Sequence, residues 1–76
     1  SLIIVEHTLI FIKRLLGLTI KLTKAIQLDS KDASSYYNRG LAKLKLNQKE
    51  NACLDFSKAG ELGDADAYEA IKSFCN

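Results

Sequence analysis

Apolar residues recur at three-and-four spacing through the first third of the chain, where Leu2, Val5, Leu9, Ile12 and Leu16 mark one row of a helix. Ile4, Phe11, Leu15, Leu18, Leu22, Ala25 and Ile26 join on neighbouring rows, so the apolar arc is unusually wide. Glu6, Lys13, Lys21 and Lys24 gather on the remaining arc, with Ile3 and Ile10 among them. Those two isoleucines would face water on an isolated monomer, and the pattern predicts that something covers them. Residues 2 to 28 read either as one long helix or as two. Gly17 is the only candidate break, and a helical Gly costs only about 1 kcal/mol relative to Ala.

Punctuation sharpens from Asp29 onward. Asp29-Ser30-Lys31-Asp32 is a polar connection, and Asp32 is placed to cap the next helix by accepting from its free amides. Tyr36 or Tyr37, Gly40, Leu41 and Leu44 mark an apolar face that runs to Leu46. Asn47 tolerates the left-handed conformation that closes a helix. Gln48-Lys49-Glu50 begins the next, whose inward face is Ala52, Cys53, Phe56, Ala59 and Leu62, and Gly63 ends it. Asp66-Ala67-Tyr68-Glu69 has the spacing of a capping box, with Ala67, Ile71 and Phe74 lining one side of a short last helix.

Composition supports helices. The chain has no Pro and only four Gly among 76 residues, too few turn signals for a β-sandwich or barrel, so the expected class is all-α. A domain this small buries only about 60% of the surface its unfolded chain exposes, so its stability is marginal unless something enlarges the core. The net charge of +2 is too small to imply nucleic acid. It is unevenly placed: residues 1 to 28 hold Lys13, Arg14, Lys21 and Lys24 against Glu6, whereas the remainder holds seven cations against eight anions. Glu6, His7, Lys13 and Arg14 interrupt the apolar run, so Leu2 to Ile20 matches neither a membrane span nor a secretory leader. Cys53 and Cys75 have no framework spacing and read as reduced thiols of an intracellular, cytoplasmic protein.

Residues 33 to 66 resemble a tetratricopeptide repeat, whose 34-residue unit is a helix, a tight turn and a second antiparallel helix. Tyr36 falls at the large aromatic position, Gly40, Ala52 and Ala59 at the small crossing positions, Phe56 at the second aromatic, and Leu62 near the end. Small residues let two helix axes approach while the aromatics fill the volume beside them. Arg39 and Lys43 depart from the pattern, standing where the family has leucine and tyrosine. Upstream, Leu22, Ala25, Ile26 and Leu28 resemble the second helix of a preceding repeat, with Leu18 at a position that should be small. Residues 66 to 75 resemble a closing helix. The resemblance implies one domain over residues 1 to 76: a divergent helical segment (1–29), one well-matched repeat (33–66) and a C-terminal capping helix (66–75). In all, that is about two repeats, the first divergent.

Such repeats act without chemistry of their own, as scaffolds whose first helices line a groove for a peptide or partner helix. The resemblance implies Tyr37, Asn38, Leu41 and Lys45, with Lys72 from the last helix, as groove residues. Asn38 matches one asparagine of the clamp that grips the terminal carboxylate of chaperone tails. The lysine and asparagine expected from the preceding repeat are Ile3 and His7, so the clamp is incomplete. About three units are needed for a stable stack. The oily leading third is therefore expected to serve as the missing neighbour, burying Leu9, Ile12 and Leu16. Leu2 to Ile20 is further expected to pack on a second copy, in a homodimer whose interface includes Leu2, Ile3, Leu9 and Ile10. The competing reading lays the same segment on an anionic membrane through Lys13, Arg14, Lys21 and Lys24. Its few cations and lack of Trp favour self-association.

Nothing in the chain composes an enzyme. His7 is the only His and lies far from both cysteines, and no Gly-rich phosphate loop is present. No metal or cofactor is expected. Cys53 reads as a small residue half buried between helices, and Asp55, Glu61, Asp64, Asp66 and Glu69 as solvated faces and caps.

Overall fold

The computed structural model describes residues 2–75, with side chains from Ile4 onward, and these residues form four helices and no strand. Helix α1 runs Leu2–Leu28, α2 Ala33–Lys45, α3 Lys49–Glu61 and α4 Ala65–Phe74. The first is a single continuous helix. A Cβ added at Gly17 would meet nothing within 4 Å, so the glycine faces open space and no close helix approach requires it there. Thr8, Thr19 and Thr23 donate their hydroxyls to the carbonyls of Ile4, Leu15 and Thr19 at 2.8–2.9 Å, which satisfies polar groups on an otherwise greasy cylinder. No helix among the described residues is long and apolar enough to cross a membrane.

Local chemistry sets the three connections. Asp32 caps α2 in extended conformation, its carboxylate accepting from the Ser35 amide at 3.4 Å and the Ser35 hydroxyl at 2.8 Å. Helix α2 closes with Asn47 at φ 64°. The Asn47 amide donates to Leu44 and the Gln48 amide to Lys43, the paired bonds of a Schellman ending. Gly63 at φ 104° repeats this at the end of α3, with the Gly63 amide on Gly60 and the Asp64 amide on Ala59. Asp64 then caps α4 by accepting from the Asp66 amide at 2.9 Å. The last helix thus starts at Ala65, and the expected capping box at Asp66 gives way to an Asp64 cap. The three-residue connection leaves Asp64 as the nearest extended residue able to reach the free amides.

Consecutive helices pack on one another, α1 on α2, α2 on α3 and α3 on α4. Ala52, Phe56 and Ala70 form the buried centre, with Tyr37, Leu41, Leu44, Ile71 and Cys75 packed around it. Gly40, Ala52 and Ala59 are all buried, as expected of crossing positions. A Cβ on Gly40 would stand 2.7 Å from the Phe56 ring and 3.2 Å from the Ala52 carbonyl, so the α2–α3 approach requires glycine there. On α4 the buried pair is Ala67 and Ala70, while Phe74 is exposed. Tyr68 latches α4 to α3 by donating its hydroxyl to the Gly60 carbonyl at 3.1 Å.

The cysteines are joined rather than free. Cys53 in α3 and Cys75 just after α4 form a disulfide with Cα atoms 5.9 Å apart, which corrects the reading of two reduced thiols. The ground it supplied for an intracellular setting falls with it, because structural disulfides persist in oxidising compartments. Spacing in the chain does not reveal such a pair; the antiparallel return of α4 along α3 brings the two together.

Length explains the outline. A 27-residue helix is about 40 Å long and a 13-residue helix about 20 Å, so α2 can cover only half of α1. The molecule measures 43 × 30 × 16 Å. Its radius of gyration of 13.3 Å exceeds the roughly 11 Å of a compact domain of this length, because the N-terminal half of α1 projects. Among the residues whose side chains are described, Leu15 is the first buried one of α1. Leu9, Ile12 and Leu16, expected to be covered, are exposed in the single chain, so the leading third serves as neighbour to the helix pair only from Leu15 onward.

Candidate functional site

The α1–α2 seam opens into a groove of about 350 Å³ lined by Leu15, Leu18, Leu22, Asn38, Leu41, Ala42 and Lys45. Three-and-four spacing puts the leucines on one face of α1, and the same rule puts Asn38, Leu41, Ala42 and Lys45 on the facing side of α2. The groove is open and mainly apolar, with the Asn38 carboxamide and the Lys45 ammonium as polar groups. Such a lining can accept an apolar side chain, pair once or twice with a peptide backbone, and attract a carboxylate. Lys45 is the only charged side chain among the lining residues.

Of the expected groove residues, Asn38, Leu41 and Lys45 come together here. Tyr37 does not. It turns toward the core, its ring centroid 5.8 Å from that of Phe56. Lys72 is exposed on α4 and does not line the groove. The α1 wall was absent from the expectation, which assigned the lining to α2 and α4 alone. The signal for it was present: Leu15, Leu18 and Leu22 share one face immediately upstream of the polar connection at Asp29. Of the expected self-association residues, Leu9 and Ile10 are exposed on the projecting half of α1. The side chains of Leu2 and Ile3 lie outside the described residues.

A partly buried ion cluster ties α2, one wall of the groove, to α3. Asp55 on α3 is buried and not solvated as its charge suggested. Arg39 grips it through both oxygens, Nη2 to Oδ1 at 2.7 Å and Nε to Oδ2 at 2.9 Å, and Lys43 adds Nζ to Oδ2 at 3.1 Å. Arg39 also donates to the Thr23 hydroxyl at 3.3 Å, tying in α1, and stands 5.5 Å from the Tyr36 ring centroid. The hydrogen bond to Asp55 raises the Arg39 pKa above its ordinary value, against the opposing effect of burial. The two departures from the repeat pattern, Arg39 and Lys43, are therefore the two partners of one acid. Asp55 was legible in principle, since it lies three residues after Ala52 and four before Ala59, on the inward arc of α3.

Among the described residues no cluster of His, Cys, Asp and Glu could hold a metal ion. Comparison of the chain with known protein families, with curated proteins and with solved structures finds no match. The tetratricopeptide resemblance rests on this chain's own residues.

Proposed function

We propose that this chain is a non-enzymatic interaction module: a tetratricopeptide-like helix array that seats a peptide or partner helix in the α1–α2 groove and associates with itself through the free half of α1. The observation that carries the first part is the groove, where an apolar floor from Leu15, Leu18, Leu22 and Leu41 meets one amide and one cation. Asn38 serves as the backbone-pairing group and Lys45 as the anchor for an acidic side chain or terminal carboxylate. Consecutive packing of the helices, with small residues at the α2–α3 crossing, supports the repeat-like reading.

A peptide array probed with the parent protein and with Asn38→Ala and Lys45→Glu tests it. Peptides that pair an apolar residue with a nearby acid are expected to bind, and Lys45→Glu to weaken them roughly tenfold, on the order of 1.4 kcal/mol. Equal binding of the same peptides by all three proteins would remove the groove from the reading. The association of α1 is read separately, by solution mass.

A further inference from the structure

Residues 4 to 14 of α1 have water where the second half of the helix has α2. One row that begins among them is distinct. Val5, Leu9, Ile12 and Leu16 repeat at four, three and four, the a/d spacing of a helix-pairing seam, and each is between 37% and 53% exposed. Beside that row, seven residues apart and on the same flank, stand Glu6 and Lys13. Both are exposed, and neither makes an ion pair among the described residues.

We infer that two copies of the chain pair antiparallel along this row, Glu6 of each copy facing Lys13 of the other. The inference deepens the self-association proposed above and rests on it. With the two-fold axis between residues 10 and 11, Val5 lies opposite Leu16 and Leu9 opposite Ile12, and the symmetry repeats both layers. In this arrangement the flanking position of one helix meets the same flanking position of its partner. One acid and one base seven residues apart on that flank complement themselves. A parallel pair brings the flank against the opposite one, which carries Thr8 and Leu15 and has no charge to offer. Length agrees as well: the second copy covers α1 up to Leu16, where α2 takes over from Leu15. Ile10 lies outside this seam, so it is not one of the residues that set the register.

Charge reversal tests the pairing by sedimentation equilibrium over roughly 1 µM to 1 mM, a range that brackets weak association. The parent chain is expected to dimerise. Glu6→Lys places Lys against Lys and Lys13→Glu places Glu against Glu, so each alone is expected to weaken the dimer by at least about tenfold. An equimolar mixture of the two variants restores it as a heterodimer, and so does the double variant as a homodimer. Circular dichroism checks that each stays helical. A parent chain that remains monomeric across the range overturns the proposal together with self-association. So does a monomer that instead co-sediments with vesicles of phosphatidylserine and phosphatidylcholine. A dimer indifferent to the reversals, or not restored in the mixture, overturns the antiparallel seam alone. Peptide binding in the groove is unaffected by any of these outcomes.

Discussion

The two halves of α1 are similarly greasy but differently covered: the second buries one face, though its Leu16, Leu18 and Ile20 stay exposed. From Leu15 to Ile26 the helix lies against α2, and Leu15 and Ile26 are buried. From Ile4 to Ile12 it carries Ile4, Val5, Leu9, Ile10, Phe11 and Ile12 into water. Apolar content does not separate them. What differs is reach: α2 is half as long as α1, and the Asp29–Asp32 connection fixes which half it can touch. Hydrophobic side chains supply a driving force in proportion to area, but burial also needs a surface at the right distance.

The largest test of that contrast strikes the packed region. Asp55→Ala leaves Arg39 and Lys43 facing a partly buried gap, and removing one member of such a cluster is expected to cost about 3–5 kcal/mol. For a chain this small that is most of its stability, so urea titration at 25 °C should find it largely unfolded. The pH dependence adds a sign. A raised folded-state pKa means that Arg39's share is fully present below its ordinary, strongly alkaline value and is lost only as pH rises through the still higher folded value. Alkaline titration from pH 7 to about pH 10 should therefore remove none of that share.

Opening the disulfide is next. Cys53 and Cys75 are 22 residues apart, and closing such a loop stabilises by about 3 kcal/mol in the chain-entropy account. Cys75→Ser, or reduction with excess dithiothreitol, should lower the urea midpoint correspondingly. The protection of α4 amides against hydrogen exchange should fall with it. An unchanged midpoint would mean that Tyr68 and the Ala67–Ala70 face hold α4 unaided.

The smallest effect belongs to the free half. Leu9→Ser should change the stability of the dilute monomer by less than about 0.5 kcal/mol, the usual range for an exposed site. The same substitution should dissociate the proposed dimer. A large loss of monomer stability would show that α1 already buries Leu9 within a single chain, and the contrast between the halves would collapse.

Several features were readable because they depend on a few adjacent residues. The Asp32 cap and the left-handed Asn47 and Gly63 follow from side-chain and backbone chemistry within one turn. Gly40 and Ala52 were readable because close approach of two helices admits only small residues. Of the residues lining the candidate groove, Asn38, Leu41 and Lys45 are among those the sequence pointed to, and the three leucines opposite them are not. Those leucines belong to a helix whose own pattern marks apolar residues on nearly every side, so periodicity could not say which would line a cleft. The continuity of α1 stayed open for a related reason, since Gly17 permits either outcome and nothing near it in the chain decides.

Amino-acid order alone determined the all-helical class, three helix boundaries and the small-residue crossing, all settled by interactions over three or four positions. Only the tertiary structure decided that Cys53 meets Cys75, that Asp55 is enclosed by Arg39 and Lys43, and that half of α1 stands uncovered. Each of these depends on where a helix distant in sequence comes to lie and how far it extends, distances that no local pattern of residues encodes.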